Sequence, residues 1–491
     1  MKGLVQTGGF FVFAITVCAF FGMVIPIIGP KFSLLLVAGF VGSAALFIKT
    51  DTILLGLFAL TLIVVGPLGY FGVIDLHWIP YIVGALLYVK LIVERFRTAD
   101  PHQHGSNSTA LSGFHWAILV FFGILALSTS FSPPSSYLFL LTSRSYFFLW
   151  SVYLLLALGN VTPEFFKNAW KLMYGVAFLQ LPFAIYQNLI IARNRTDNAS
   201  WDAVIGTFQG YKEAGGDSAG MAIFLLTIFT IALSLWRRGL QSGLSVFVTG
   251  IAALCTISLA EVKVVYILFP IILIGVYRSE LLRNIQLALV GSAVIAVLVA
   301  TIFIAYDLQY TTEAITSQKS LDKKAEGIFK FSTAADVYGW HGEVGRVTAL
   351  LIWWNGNEKS DPQMYVGNGM GSTAISQRYA ELGGKIGERY FPLQIDTSAA
   401  TVLLWETGIF GLFAFCTILI LAALTARRLA RSHSLPGINA ALLDATPAIL
   451  AMYLFTIPYH KNAIGGSTAG QLVLLFFLGH VAYWARLFPF R

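Results

Sequence analysis

Charge is the first thing this 491-residue chain has little of. Only 11% of its residues are Asp, Glu, Lys or Arg, against about 25% in a soluble domain. Hydrophobic residues make up 57%, and mean hydropathy is +0.75. That balance excludes an ordinary soluble fold. Long apolar runs recur throughout, as in an all-α polytopic membrane protein. Cysteine is scarce too. Cys18, Cys255 and Cys416 all lie in apolar runs and give neither a disulfide framework nor a zinc spacing. The hydrophilic stretches hold no HExxH, no Cys/His cluster and no DxD-type pair, so no metal and no cofactor are expected. The net charge of +8 is modest. It reads as topogenic Lys and Arg, not as a nucleic-acid surface.

A span needs about 20 apolar residues. Helices are expected near 4–28, 31–48, 52–73, 77–93, 114–131, 145–160, 169–192, 217–236, 243–260, 263–278, 284–306, 398–425, 440–458 and 466–487, about 14 spans in all. The first apolar stretch runs straight into further spans and reads as a helix, not a cleaved leader. Alternate connections carry Lys49, Arg95 and Arg97, Lys167 and Lys171, Arg237 and Arg238, Arg278 and Arg283, Arg427, Arg428 and Arg431, then Arg486 and Arg491. The positive-inside rule puts that side, and both termini, in the cytoplasm. Three parts follow: spans over 1–306, an extracytoplasmic cap over 307–397, and spans over 398–491. Loops longer than about 15 residues are uncommon unless functional or disordered. This one keeps its aromatics, so a small, mainly helical cap is expected. A second outer loop, "ARNRTDNASWDAVIGTFQGYKEAGGDSAG" (192–220), is expected beside it.

The cap carries the chemistry. "DVYGWHGEVGRVTALLIWW" (336–354) brings together His341, Glu343 and Arg346, with Tyr338, Trp340, Trp353 and Trp354 as flat faces suited to sugar rings. Glu343 and Arg346 are spaced to pair on a helix face. "YVGNGMGS" (365–372) offers Gly367, Gly369 and Gly371, whose amides suit an anion-binding nest. It follows no βαβ strand, which excludes a dinucleotide fold. "SLAEVKVVYILF" (258–269) places Glu261 and Lys263 at the outer end of two spans, and Lys212, Arg144, Arg193 and Arg195 add positive charge to that face. In "FPLQIDTSAATVLLWETGIFGLFAF" (391–415), Asp396 stands just before an apolar run and Glu406 inside it. A carboxylate at that depth must face protein or a water-filled cavity. "IPYHKNAIGGSTAG" (457–470) adds His460, most simply a loop histidine, and Lys461.

Together these segments resemble the O-antigen ligase and polymerase superfamily. Its pattern is an outer-loop Arg-x-x-x-Leu, a glycine-rich element, and a His-x-[Asn/Ser/Gln] entering the next helix ahead of a Gly-x-x-Gly. Arg346 and Leu350 match the first part, and Gly367, Gly369 and Gly371 resemble the second. Ser398, Gly408 and Gly411 match the third. "GTFQGYKEAGGDSAG" resembles the family's Gly-x-Phe stretch, and Lys263 stands where many members place an Arg. The resemblance spans roughly residues 200–425. Asp396 replaces the histidine of the ligase branch, which leans towards the polymerase branch.

The resemblance implies a GT-C-like, metal-independent, inverting glycosyltransferase of the bacterial inner membrane. Its donor would be a polyprenyl-diphosphate-linked glycan, its acceptor another glycan, with a chain-length regulator as a further partner. No nucleotide sugar is found outside the cytoplasm, so the donor must arrive already activated. On this reading Arg346, Lys263, Lys212 and the amides of Gly367, Gly369 and Gly371 hold the diphosphate, since electrostatic stabilisation is usually the largest catalytic term. Glu343, Asp396 and His341 are the candidate bases. Tyr338, Trp340, Trp353 and Trp354 align the glycan. Two alternatives stay open: a ligase that transfers the glycan to a lipid, and a flippase for lipid-linked oligosaccharide, which would more naturally show repeated halves and a charged central path.

Overall fold

The computed structural model describes residues 47–97, 113–192, 203–212, 215–283, 344–358, 360–375, 383–432 and 437–488, with a few isolated positions between them. The expected spans 4–28, most of 31–48 and most of 284–306 lie outside the described residues, as do Tyr338, Trp340, His341 and Glu343. The rest is almost entirely helical. In chain order the helices are α1 (Thr50–Tyr70), α2 (Ile79–Arg97), α3 (Gly113–Phe131), α4 (Ser136–Leu158), α5 (Pro163–Ile191), α6 (Ser218–Arg237), α7 (Gly243–Leu259) and α8 (Val265–Arg283). Three short helices follow, α9 (Arg346–Gly356), α10 (Pro362–Val366) and α11 (Lys385–Tyr390). The chain then returns through α12 (Ala399–Ser432), α13 (Gly437–Thr456) and α14 (Thr468–Leu487). Among the described residues nine helices are long and apolar enough to cross a membrane.

α6 and α14 are buried almost all round and form the centre. A helix that is apolar on every side belongs in such a place. Phe58, Phe165, Phe166, Phe476 and Phe477 interlock there. The remaining spans expose large apolar side chains such as Phe247, Phe413 and Leu244. In a membrane protein those positions suit lipid.

Several basic residues gather at one end and meet carboxylates. Arg237 pairs with Glu280 at 2.7 Å, Arg238 with Asp444 at 2.6 Å and Lys90 with Glu94 at 3.6 Å. The opposite end carries the loops before α6, α12 and α14.

Two departures from the expected spans matter. α4 begins at Ser136, capped by the Ser135 hydroxyl accepting from the Leu138 amide, so Arg144 lies within it and not ahead of it. α12 is kinked and broken at Gly408, whose φ is +66°. The backbone of Tyr365 and Val366 crosses there, so close that a Cβ on Gly408 would sit 2.3 Å from the Tyr365 carbonyl carbon. Gly367 answers from the other strand of the crossing, with φ +91° and a hypothetical Cβ 2.4 Å from the Glu406 carbonyl. Gly123, inside α3, has no neighbour within 4 Å of such a Cβ.

Gly367→Ala and Gly408→Ala should each lose roughly 1–3 kcal/mol from the backbone conformation alone, and more from the collision. Gly123→Ala should be neutral or slightly stabilising. Thermal unfolding of the three purified variants checks this. Equal melting temperatures for all three would contradict the crossing.

Candidate functional site

Three polar clusters gather towards the loop-bearing end. The first is built on α9. Gly345 is the N-cap residue, so Arg346 opens the helix. Its Nε donates to the Tyr459 carbonyl at 2.8 Å, and its guanidinium lies 4.2 Å from the centre of the Tyr459 ring. Arg346 is thus half-buried and fixed against the 457–467 loop. That loop is itself tied to the start of α12, since the amides of Ala399 and Ala400 donate to the carbonyls of His460 and Ile457. Ser398 and Thr401 exchange hydroxyl and amide hydrogen bonds and cap the helix. Lys461 reaches Asp396 at 2.7 Å. Segments far apart in sequence thereby place Arg346, Asp396, His460 and Lys461 around one junction. Burial holds the His460 imidazole well below its ordinary range, at about 4, with the Lys461 ammonium and the Arg346 guanidinium acting in the same direction.

The second cluster corrects the expectation for the glycine-rich loop. Its amides are used within the protein. The Gly367 amide donates to Gln363, Asn368 to Trp405, and Gly369 to both the Glu406 carbonyl and the Ser128 hydroxyl. The amides of Gly371 and Thr373 turn to the Glu406 carboxylate. Thr373 and Tyr146 complete that carboxylate's shell with hydroxyls at 2.6 Å and 2.7 Å. The loop's amides are committed within the chain, two of them to the carboxyl group of Glu406. Trp353 also departs from expectation. Its ring is buried with Met364, Ile386 and Trp405, and its indole N–H donates to the Leu404 carbonyl at 3.1 Å, so it anchors α9 and offers no face to a sugar. Trp354 is exposed and remains suited to that role.

The third cluster was not read as a site in the sequence. The segment 203–208 is fully buried without being helical. Gln187 accepts from the amides of Ile205 and Gly206 and donates to the Gly206 carbonyl, while Gln180 accepts from the Thr207 amide. The strands β1 (Gly210–Tyr211) and β2 (Gly215–Gly216) pair immediately afterwards. Gly210 and Gly216 face each other so closely that a Cβ on either would lie within 2.8 Å of the other's Cα. This tight hairpin brings the Asp217 amide to the Gln209 carbonyl at 2.8 Å. Asp217 caps α6 through Gly220 at 2.9 Å and is 5% exposed. Burial raises its carboxyl to about 7, against the opposing pull of the Ser467 hydroxyl and the Gly220 amide. Such a group exchanges a proton near neutrality. The Tyr81 hydroxyl meets Thr468 at 2.8 Å, and Thr468 donates to Gln209 at 2.9 Å.

Lys212 is exposed beside the hairpin, away from α9 in sequence and element. Lys263 is half-buried in a shallow hollow with Ile257, Ser258, Glu261 and Tyr266. The hint for Asp217 was present in "GGDSAG", an N-cap ahead of an apolar run. What hid its importance is that capping asparates are ordinary; only the burial sets this one apart. The chain matches no protein-family model and no curated protein sequence.

His460 gives a pH test. Unfolded, it takes a proton near 6.5; folded, only near 4. Stability is therefore full above about pH 6.5 and is lost as pH falls towards 4. Between pH 7 and pH 5 the wild-type melting temperature should drop further than that of His460→Gln. Parallel drops would rule out a buried neutral imidazole.

Proposed function

We propose that this chain is a membrane glycosyltransferase. It polymerises oligosaccharide repeats carried on polyprenyl diphosphate, at the outer face of a bacterial cytoplasmic membrane, with the basic end of the bundle and both termini in the cytoplasm. The observation that carries the reading is the Arg346 junction. A half-buried guanidinium, an Asp–Lys pair and a buried imidazole converge from separate segments at one end of an apolar bundle. A lipid-borne substrate needs both parts: apolar helices beside its tail and cationic groups beside its head.

The reaction requires an acceptor hydroxyl to attack the anomeric carbon of the donor. A new C–O bond forms as the bond to the phosphate oxygen breaks. The electron pair leaves with the diphosphate, and the hydroxyl proton passes to a base. Arg346 suits the departing charge, because a guanidinium binds phosphate oxygens through two parallel hydrogen bonds. Asp396, held by Lys461, and Asp217 are the described carboxyls available as base; Glu343 and His341 remain candidates from the sequence. Trp354 is the described aromatic for the glycan. Neither the glycine amides nor Trp353 retains a part.

Purified protein in liposomes with a labelled lipid-linked repeat tests this reading. Growth of the glycan is expected. A change of sidedness without growth would instead identify a flippase, and transfer to a lipid acceptor a ligase. Arg346→Ala should slow transfer by about a hundredfold or more, in the range of losing a charge-stabilising donor. Wild-type transfer by that variant would remove the central assignment.

A further inference from the structure

Arg144 is a cation inside a span. It lies about 12 Å along α4 from Ser136, at 1.5 Å per residue, and an ionisable group at such a place is by default functional. Among the described residues no carboxylate comes within the 4.0 Å of an ion pair. Its guanidinium rests instead on aromatic faces, 4.8 Å from the Trp78 ring centre and 5.9 Å from that of Tyr81. Aromatic faces return only part of what removing a guanidinium from water costs.

The position is built rather than incidental. From Arg144 to Phe148 the helix widens into a π turn, a distortion frequent at functional sites. The carbonyls it loosens are taken up by side chains from other elements: Gln471 donates to Ser145 at 2.6 Å, and Tyr88 to Phe147 at 2.6 Å. The bulge is thereby locked with Arg144 turned to Trp78 and Tyr81. Behind Tyr81 stands a polar chain, Tyr81 to Thr468 to Gln209, ending in a buried Gln209 Nε2 donor that finds no acceptor. Asp217, next along, is 95% buried, with the Gly220 amide and the Ser467 hydroxyl on its carboxyl group. Both Arg144 and Asp217 lie within electrostatic reach of the Tyr81 hydroxyl. On the same helix, Tyr137, Phe139 and Leu140 are exposed. In a bilayer they face acyl chains.

We propose that Arg144, with Trp78 and Tyr81 as its walls, binds the phosphate of a lipid-linked diphosphate entering from the bilayer. The proposal rests on the glycosyltransferase reading and adds to it a docking point on α4, built from other residues than the Arg346 junction. Arg144 is a binding residue here, and no bond-making step is assigned to it.

The experiment uses full-length protein in nanodiscs and three probes: polyprenyl diphosphate, inorganic diphosphate and phosphatidylglycerol. Wild type should bind polyprenyl diphosphate, and phosphatidylglycerol should not displace it. Arg144→Gln should weaken that binding tenfold or more. Arg144→Lys, which keeps the charge and guards against misfolding, should weaken it less. Unchanged melting temperatures must accompany both. If Arg144→Gln binds and elongates like wild type while Arg346→Ala does not, this site is wrong and the glycosyltransferase reading stands. If wild type neither binds polyprenyl diphosphate nor elongates glycan, that reading fails, and inorganic diphosphate decides the site: Arg144-dependent binding supports an anion site, and Arg144-independent or absent binding overturns it. Equal displacement by phosphatidylglycerol would make this a phospholipid contact and overturn the donor assignment.

Discussion

Backbone that leaves the helix at bilayer depth has no water to turn to. Each freed N–H or C=O must find a partner inside the protein, at a cost of several kcal/mol if it fails. The loop-bearing half of this molecule is organised by that demand. The buried segment 203–208 is held by two glutamines from α5, each donating and accepting at once. The glycine-rich loop is held by Ser128, Thr129 and the interrupted turn of α12. The π turn of α4 is held by Gln471 and Tyr88. Irregular backbone is tolerated in membranes only where protein surrounds it or a cavity is lined by it. All three irregularities lie next to the polar clusters, so the same side chains that satisfy the backbone also set the clusters in place.

Glu406 illustrates how strictly this is enforced. A carboxylate in a span is expensive unless several donors converge on it. Here two hydroxyls and two amides do so, and the amides come from a loop whose glycines allow it to pass within van der Waals distance of the broken helix. The nest and the carboxylate are therefore one structural unit, a clamp between α3, α4 and α12. A loop whose amides are already committed cannot also carry a diphosphate, and the functional reading shifts to side chains that point away from this clamp.

The helical class, most spans and the division into a basic end and a loop-bearing end were legible in the sequence, because hydropathy and Lys/Arg placement act through simple one-dimensional rules. The helix at Arg346 was legible from its spacing. The role of Gly367, Gly369 and Gly371 was not, because a nest looks the same whether its anion is a ligand or a glutamate far along the chain. Trp353 was misread for a similar reason: nothing local reports whether a ring next to Trp354 points inwards. The start of α4 was placed too late because Arg144 looked like the end of a loop. Propensity cannot say that a neighbouring Trp78 and Tyr81 will receive a guanidinium inside the helix. The missed features share one property, a partner distant in sequence that decides the outcome.

Cations at both ends of the bundle meet carboxylates and rings: Lys461 pairs with Asp396 beside the Arg346 junction, and Arg486 lies 5.6 Å from the centre of the Tyr483 ring at the end of α14. At one end Arg237, Arg238 and Lys90 are matched by Glu280, Asp444 and Glu94. Exposed pairs of this kind contribute little to stability, about 0–1 kcal/mol each, and they neutralise the surface locally. At the other end Arg144 and Arg346 lie on the faces of Trp78 and Tyr459. Arg346 already gives its Nε to the Tyr459 carbonyl, while Arg144 forms no ion pair among the described residues. A guanidinium can hold two oxygens of a tetrahedral oxyanion such as a phosphate through two parallel hydrogen bonds.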